Sequence, residues 1–340
     1  MSLSMPAAPV SASALPVPAA RRFDLLAIGE PMMEFAEVTR GGERLYLPGH
    51  GGDTSNAIIA AARQGAACAY FTALGADAFG ADFLRLWATE GVDASRVIAR
   101  ADGSTGIYFI TYGADGHQFS YWRKGSAASR MTPAEIPADL IAEARVLHVS
   151  GISQAISETC ADAIFTAITA AKKAGTAVSY DTNLRLKLWP IERARAITHA
   201  AMAEADIALP GLDDAQILTG LQTPEDICDF YLGLGAKIVA LTLGKNGTMV
   251  AIPASRALVP AYPVEAVDAS GAGDTFDGAF LAEWLRTGDP FAAAAYANAA
   301  AALATLGHGA VAPMPKRAAV ESFRASRTQS IFKRSGHRFA

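Results

Sequence analysis

An aspartate behind a glycine-rich turn is the first place where this chain could perform chemistry. Residues 267–280 have the sequence VDASGAGDTFDGAF, in which Gly271, Ala272 and Gly273 directly precede Asp274. Small residues at the start of a helix let backbone N–H groups converge on an anion, which the helix N-terminus also favours. Asp274 could then accept the proton of a hydroxyl that attacks phosphorus, while the N–H groups stabilise the phosphoryl charge. On this segment alone, a simple helix cap remains the alternative.

Two arginines follow segments that end at one edge of the predicted structure. Arg123 follows a strand-like segment ending at Trp122, and Arg185 follows a predicted strand at 177–180. Open α/β sheets bind ligands at the carboxyl ends of their strands, so both arginines would border one pocket. An arginine fork suits a planar carboxylate better than a neutral hydroxyl. For either arginine alone, a surface or structural ion pair is the alternative.

The elements that must position these residues alternate between strand and helix. Short apolar runs predict strands at 23–29, 69–74, 146–149, 177–180, 207–209, 238–243 and 249–252. Longer helical segments lie at 57–65, 79–90, 158–174, 191–204, 213–219, 274–286 and 290–306. This rhythm predicts an α/β fold with a mostly parallel sheet and helices on both faces.

Two further segments interrupt the alternation. Residues 32–46 and 105–122 alternate in a strand-like way, with no helix between their strands. Residues 113–116, Gly-Ala-Asp-Gly, predict a hairpin turn. We therefore expect a small antiparallel β lid beside the parallel sheet.

The composition of the 340 residues is that of a globular protein with a sizeable core. Hydrophobic residues make up 51% and charged residues 18%, and the net charge of -4 argues against nucleic acid as a partner. Cys68, Cys160 and Cys228 form no C-x-x-C pair and argue against a disulfide framework. No apolar run suits a membrane helix. We expect a cytoplasmic protein.

The two ends of the chain differ from the middle. Residues 1–20 are apolar and proline-rich, and Arg21 and Arg22 follow this stretch, which is the wrong order for a signal peptide. We expect a disordered leader at 1–21, one domain at 22–325 and a basic tail at 326–340. The tail is interpreted as solvated, and docking of nucleic acid or a partner is the alternative.

Three segments together resemble the ribokinase-like (PfkB) carbohydrate kinases. Residues 271–274, GAGD, match that family's C-terminal signature, residues 51–57, GGDTSNA, its N-terminal signature, and residues 241–248, LTLGKNGT, its nucleotide-binding turn. Their order and spacing match from about residue 23 to 323. The resemblance implies a ribokinase-like (Rossmann-like) fold and an ATP-dependent kinase. In it, Asp274 is the catalytic base, behind Gly271, Ala272 and Gly273.

The resemblance also implies binding roles. Gly52 would let the backbone approach a sugar, and Asn56 would hold a sugar hydroxyl. The residues expected to bind ATP are Thr242, Leu243, Gly244, Gly247, Gly271 and Gly273, with Asn298 against the adenine. A buried helix asparagine without a ligand is the alternative for Asn298.

Metal sites are implied with one departure from the family. The family's magnesium motif, N-x-x-E, is replaced by Gly211-Leu212-Asp213-Asp214, in which Gly211 has no side chain to offer. Asp214 would hold Mg²⁺ through water, since Mg²⁺ keeps several waters. Asp268 and Ser270 fall where the family often binds a monovalent cation such as K⁺, and a plain turn is the alternative.

Within the family, the chain resembles the 2-keto-3-deoxygluconate kinases. The segments that carry this resemblance are YWRKGSA at 121–127, SGI at 150–152 and DTNLR at 181–185, followed by Leu188 and Trp189. The residues implied to line a sugar-acid site are Gly52, Tyr108, Tyr121, Arg123, Ile152 and Arg185. Arg123 and Arg185 would bind the carboxylate and keto end, and the terminal hydroxyl would meet Asp274. Glu34 is a further candidate acceptor for a sugar hydroxyl.

Other functions fit less well. A fructokinase or another neutral-sugar kinase would not need two arginines, and a non-catalytic sugar sensor would not need Asp274. A nicotinamide-dependent oxidoreductase would need G-x-G-x-x-G after the first strand, where the chain has Gly29-Glu30-Pro31. Lid strands in this family often pair between subunits, so we expect a homo-oligomer, a dimer or larger.

Overall fold

The computed structural model describes residues 15–113 and 116–335. The strands are β1 (Phe23–Ile28), β2 (Met32–Arg40), β3 (Glu43–Gly51), β4 (Cys68–Phe71), β5 (Ala73–Gly75), β6 (Val92–Asp93), β7 (Ile98–Arg100), β8 (Gly106–Gly113), β9 (Gly116–Trp122), β10 (Ala144–Ser150), β11 (Ala177–Asp181), β12 (Ile207–Leu209), β13 (Ile238–Thr242), β14 (Thr248–Ile252) and β15 (Ser255–Val259). The helices are α1 (Asp53–Arg63), α2 (Ala78–Glu90), α3 (Ala138–Ala142), α4 (Gly151–Ala155), α5 (Glu158–Ala174), α6 (Ile191–Met202), α7 (Leu212–Thr219), α8 (Pro224–Leu234), α9 (Ala272–Thr287), α10 (Pro290–Ala304) and α11 (Arg317–Ser335).

A nine-stranded sheet forms the centre of the fold. Its strand order is β15-β14-β13-β12-β11-β10-β1-β4-β6. The β13–β14 and β14–β15 pairs are antiparallel, and the other pairs are parallel. Antiparallel neighbours need only a short turn, whereas the parallel ones require crossovers, and helices supply most of these. The predicted α/β architecture is confirmed.

Both faces of this sheet are buried. Along β1, Leu25 and Ala27 belong to one apolar cluster, whereas Leu26 and Ile28 belong to another. This period of two places alternate side chains on opposite faces. Side chains of α1, α9 and α10 complete the first cluster, and those of α5 and α8 lie in the second. The sheet is thus held between helices, with its strand ends free to carry a site.

A four-stranded sheet in the order β3-β2-β8-β9, here called the lid sheet, lies beside the main one. It consists of two antiparallel hairpins, β2–β3 and β8–β9, whose inner strands β2 and β8 run parallel. Gly41 and Gly42, with φ of 61° and 85°, form the two-residue turn between β2 and β3, where both positions require positive φ. The predicted turn at 113–116 includes residues 114 and 115, which lie outside the described residues.

The chain ends differ in part from what we expected. Leu15 is buried in the core, and the Arg21 guanidinium donates to Ala144 O at 2.9 Å and to Thr176 Oγ1 at 2.6 Å. Residues 15–21 therefore pack on the domain, and the rest of the predicted leader, 1–14, lies outside the described residues. Helix α11 runs through the predicted boundary at 325, and residues 336–340 of the tail are likewise outside them.

Two absences apply to the described part of the chain. None of its helices is both long enough and apolar enough to cross a lipid bilayer. The three cysteines are buried and unpaired.

Candidate active site

A cleft of about 380 Å³ opens where the carboxyl ends of the central strands meet the lid sheet. It brings together predicted residues from all parts of the chain: Gly52, Asn56, Tyr108, Tyr121, Ile152, Arg185, Asp214, Thr242, Gly271, Gly273 and Asp274. Arg123, Leu243, Gly244, Gly247, Asp268, Ala272 and Asn298 do not line it. Its position agrees with the rule that α/β sheets bind ligands at the carboxyl ends of their strands.

The N-terminus of α9 forms the anion-binding end of the cleft. Gly271 precedes the helix with φ of 69°, and a Cβ there would lie 2.9 Å from Ala310 O, so the turn requires glycine. The Ala272 N–H donates back to Ala269 O at 3.2 Å. The N–H groups of Gly273 and Asp274 have no helical acceptor, because the first turn of a helix offers none. These two N–H groups, together with the helix dipole, can hold a phosphoryl oxygen.

Asp274 lies in the first turn of α9 and accepts a hydrogen bond from Asn56 Nδ2 at 2.8 Å. Burial raises the pKa of Asp274 to about 7, and the negative charge of Asp53 acts in the same direction. The bond from Asn56 and the charge of Arg185 oppose this rise in pKa. A carboxyl group with a pKa near the operating pH is matched to general-base work.

Asn56 joins the two signature segments. It is buried in α1, and while its amide nitrogen holds Asp274, its Oδ1 is buried without a hydrogen-bond partner. Buried acceptors of this kind are uncommon and call for an explanation. Gly52, which precedes this helix, lies against the backbone that follows β1, since a Cβ at Gly52 would lie 2.4 Å from Glu30 O. The assignment of Asn56 to a sugar hydroxyl stays a prediction, and Oδ1 is the atom available for it.

The two arginines differ in exposure and in their partners. Arg185 is exposed in the cleft, where its Nη1 donates to Leu184 O at 2.8 Å. Arg123 is buried and paired with Glu30, with Nε 2.8 Å and Nη2 2.5 Å from Oε2. Arg123 therefore uses one edge of its guanidinium on a buried carboxylate. Of the two, Arg185 is the arginine positioned to meet a ligand in the cleft.

Lid-sheet side chains cover the cleft from above. Tyr108 of β8 is buried and donates to Glu34, which is also buried. Its ring lies 5.9 Å, centroid to centroid, from that of Tyr121 on β9. Glu34 lies behind Tyr108 and does not line the cleft, so its predicted contact with a sugar hydroxyl would require Tyr108 to move. Tyr121 remains partly exposed and faces the cleft together with Phe119.

The predicted nucleotide turn joins β13 to β14. Gly244 and Gly247 both have positive φ, and a Cβ at Gly247 would lie 2.1 Å from Val259 O. The Leu243 N–H donates to Gly247 O at 2.7 Å, which closes the turn. Thr242, at the end of β13, lines the cleft. The turn therefore lies next to the cleft, and of the predicted nucleotide-binding residues in this turn Thr242 is the one that lines it.

Asn298 has a structural set of partners. Its Oδ1 accepts from Thr248 Oγ1 at 2.8 Å, and its Nδ2 donates to Val259 O at 3.1 Å. The side chain thereby ties α10 to β14 and to the end of β15. A contact with adenine stays a prediction, and these bonds support the structural alternative.

Two aspartates were assigned to cations. Asp214 lines the cleft and accepts the Leu184 N–H at 2.8 Å, and burial raises its pKa. The Asp268 carboxylate accepts N–H groups from Ser270 and Gly309, each at 2.9 Å, and so ties two loops together. The described residues contain no group of three or more His, Cys, Asp or Glu side chains able to hold a metal. Asp214 nevertheless fits Mg²⁺, which one carboxylate plus phosphates and waters can bind.

Several residues of the cleft were not predicted from the sequence. Asp53, Asp181, Asn183 and Asp277 all line it. Asn183 has a positive φ of 30°, which is unusual for a residue other than glycine and often occurs at functional sites. The available signals were the position of Asp53 after Gly52 and the spacing of Asp277, three residues after Asp274 on one helix.

Comparisons with known proteins agree on the family. The model of the pfkB family of carbohydrate kinases matches residues 23–317. A 2-dehydro-3-deoxygluconokinase of Thermoproteus tenax is 34% identical over 88% of this chain and 94% of its own length. Fructokinase-1 of Oryza sativa subsp. japonica is 34% identical over 86% and 94%. A fructokinase double mutant of Vibrio cholerae O395, solved with fructose, ADP and a potassium ion, has a TM-score of 0.80 and 27% identity over 90% and 99%.

Proposed function

We propose that this chain, which belongs to the pfkB family of carbohydrate kinases, phosphorylates the terminal hydroxyl of a sugar acid, 2-keto-3-deoxygluconate, to give its 6-phosphate. The chain is a carbohydrate kinase of a family that uses ATP. Our proposal concerns which sugar it phosphorylates. The observation that carries the proposal is the arrangement of one cleft. Asp274 lies at the N-terminus of α9, bonded to Asn56, and Arg185 lines the same cleft.

The chain's own residues account for the transfer. Asp274, once ionised, accepts the proton of the terminal hydroxyl as the oxygen of that hydroxyl bonds to the γ-phosphorus of ATP. The bond from that phosphorus to the bridging oxygen breaks, and ADP leaves. The N–H groups of Gly273 and Asp274 stabilise the negative charge on the transferred group. Asn56 holds the Asp274 carboxylate toward the cleft.

We also propose two cation sites, one for Mg²⁺ and one for K⁺. Asp214 would hold Mg²⁺ through water, and Mg²⁺ when bound would neutralise charge on the phosphate oxygens. A K⁺ site would lie near the loops that Asp268 ties together, as the resemblance implies. Turnover with K⁺ replaced by a bulky organic cation tests this, and unchanged turnover would argue against the K⁺ site.

The substrate proposal rests on what lines the sugar end of the cleft. Arg185 is the cation among the lining residues that the structure describes, and its fork suits a carboxylate. Around the cleft, Asp53 Oδ2, Asn56 Oδ1 and Asn183 Oδ1 are buried without hydrogen-bond partners. Such acceptors match a ligand rich in hydroxyl groups. Tyr108, Tyr121 and Ile152 provide the apolar wall for its carbon chain.

A neutral-sugar kinase, such as a fructokinase, is the second candidate. The ion pair of Arg123 with Glu30 favours it, because that pair leaves one arginine in the cleft rather than two. Fructokinases also stand beside 2-dehydro-3-deoxygluconokinases among the relatives, at similar identity.

A substrate panel separates the two candidates. ATP turnover is coupled to ADP detection with 2-keto-3-deoxygluconate, its galactonate epimer, fructose and ribose. We expect kcat/KM for a sugar acid to exceed that for fructose by about tenfold or more, the effect of one charge-assisted hydrogen bond. A higher kcat/KM for fructose would make the chain a fructokinase, and no turnover of any sugar would favour a non-catalytic sensor.

A further inference from the structure

Asp277 is a buried acid of the cleft that the mechanism above does not use. It lies on α9 three residues after Asp274, so the two side chains share a helix face with Cβ atoms about 5–6 Å apart. Its side chain is 4% exposed and lines the cleft. Among the residues that the structure describes, no hydrogen-bond donor reaches its carboxyl group.

The groups that face Asp277 are mostly acidic. The titratable and charged residues that line the same cleft are Asp53 on α1, Tyr108 on β8, Tyr121 on β9, Asp181 on β11, Arg185 in the loop after β11, Asp214 on α7 and Asp274 on α9. Arg185 is the cation of this set. Asp181, Asp274 and Asp53 all act electrostatically on Asp277.

These surroundings favour the neutral form of Asp277. Asp277 is 4% exposed and its carboxyl group reaches solvent only through the cleft, so an ionised form would lose most of its hydration without gaining a donor from the described part of the chain. Asp181 differs, because its Oδ1 accepts the backbone N–H of Asn183 at 3.1 Å. Burial first, and the charge of Asp181 second, raise the pKa of Asp277 well above its usual range. Burial and the charges of Asp274, Asp53 and Asp214 raise the pKa of Asp181 as well, and the bond from Asn183 opposes that rise. Asp277 has no such bond to stabilise its charged form.

We propose that Asp277 carries a proton in the working enzyme, and that this neutral acid lets the cleft admit an anionic sugar acid beside ATP. The part about the sugar acid rests on the proposed function, whereas the protonation of Asp277 does not. With Asp277 ionised, five aspartate carboxylates would face Arg185 and two anionic substrates. Asp277 then determines how recognition of an acid, as opposed to a neutral sugar, depends on pH.

The first measurement needs no substrate. Thermal unfolding is followed from pH 4 to pH 9, in the presence of a chelator, for the wild type, Asp277→Asn and the control Asp162→Asn on the exposed face of α5. A folded-state pKa above the unfolded value of about 3.9 stabilises the fold at low pH, and this stability is lost as pH rises toward the folded-state value. The Tm of Asp277→Asn should therefore rise relative to wild type across that range, while Asp162→Asn runs parallel to wild type.

A Tm difference between Asp277→Asn and wild type that stays constant from pH 4 to pH 9 would overturn the protonation of Asp277. If Asp277→Asn does not fold, Asp277→Ser removes the same charge in a smaller side chain and enters the same comparison.

The second measurement concerns recognition. KM is determined against pH for 2-keto-3-deoxygluconate and for fructose. As pH rises, the KM of the wild type for 2-keto-3-deoxygluconate should increase, and this increase should exceed that of Asp277→Asn by up to about tenfold. A factor of about ten is the repulsion from one charge about 8 Å away at an effective dielectric constant of about 30. The KM for fructose should show no such difference. Parallel changes for both sugars would overturn the role in recognition, even if the unfolding data support the proton on Asp277. A chain that turns over only fructose would contradict the proposed function and leave the unfolding result to decide the protonation.

Discussion

At the scale of single residues, Asp274 determines how turnover depends on pH. Burial, aided by Asp53, raises its pKa to about 7, and only the ionised form can accept a proton. We therefore expect kcat/KM to fall as pH falls through about 7. In Asp53→Asn, a neighbouring negative charge is gone, so the midpoint should move to lower pH. A pH–rate series on both proteins measures this, and a midpoint that does not move would show that Asp53 has no influence on the base.

Replacing Arg185 should weaken binding of the sugar acid, whereas replacing Arg123 should reduce folding stability. Arg185→Ala should raise KM for the sugar acid by about 10–100-fold, since a hydrogen bond to a charged group contributes about 1.5–3 kcal/mol, and change KM for fructose little. Arg123→Ala breaks a buried ion pair and leaves the Glu30 charge with the Ser126 hydroxyl but no cation, so it should cost about 3–5 kcal/mol of folding stability. Steady-state kinetics and urea unfolding on both variants make the comparison.

Equal losses of acid and neutral sugar in Arg185→Ala would show that Arg185 recognises no carboxylate. An Arg123→Ala variant that is as stable as wild type, but has a raised KM for the sugar acid and an unchanged KM for fructose, would show that Arg123 binds the acid.

What the sequence predicted at this scale depended on local patterns. Asp274 and Asn56 stand in recognisable segments, and the structure brings them to 2.8 Å. The pairing of Arg123 with Glu30 joins residues 93 positions apart, and no spacing rule reaches that far. A buried carboxylate must find a partner, but the sequence does not say which arginine will supply it.

At the scale of elements, the lid sheet should move with substrate. It is joined to the core by few buried apolar side chains, and Met32, Tyr108 and Ile110 form its own small cluster. Closing over the cleft would exclude the water that competes with the sugar hydroxyl for the phosphoryl group. We expect amide hydrogen exchange in β8 and β9 to slow when the sugar acid binds, with β12 as the internal control. Unchanged exchange in β8 and β9 at saturating sugar acid would show a rigid sheet instead.

Elements with strong periodicity were predicted well. Helix α5 has the predicted bounds, 158–174, because Ser157 caps its start and Gly175, with φ of 67°, ends it. The predicted strand at 69–74 is wrong as one element. It is two strands, β4 in the main sheet and β5 paired with β7, and between them Thr72 Oγ1 donates to Gly29 O at 2.7 Å.

Helix α8 and strand β15 were not predicted. Helix α8 carried a usable signal, with Thr223 as its N-cap and Pro224 at its first position. The parallel pairing of β2 with β8 joins segments about 70 residues apart, and alternation alone does not specify it.

At the scale of the whole molecule, we propose a homo-oligomer that buries the outer face of the lid sheet. Trp122 is 61% exposed there, packed edge-on against Phe109, and Tyr46 contacts the same ring. Exposed aromatic side chains on a sheet with free edges favour association. Sedimentation should give a dimer or larger for the wild type and a monomer for Trp122→Glu. A monomeric wild type, or a Trp122→Glu variant that associates equally well, would contradict this interface.

The sheet order was only partly foreseeable. Alternating strands and helices predicted a parallel sheet, but the position of β1 between β10 and β4 depends on long-range packing on both faces. That position matters for function. It places the start of α1, with Asn56, beside the start of α9, with Asp274, although 218 residues separate the two in sequence.

The turnover of Asp274→Asn tests the proposed mechanism. In that mechanism, Asp274 deprotonates the hydroxyl that attacks the γ-phosphorus of ATP. With saturating ATP and 2-keto-3-deoxygluconate, kcat should fall by about 10²–10⁴-fold, the contribution of general-base catalysis. Asp162→Asn is the control, and the Tm of both variants should show that they are folded. A folded Asp274→Asn with kcat within threefold of wild type, roughly 0.7 kcal/mol, would show that Asp274 is not the catalytic base.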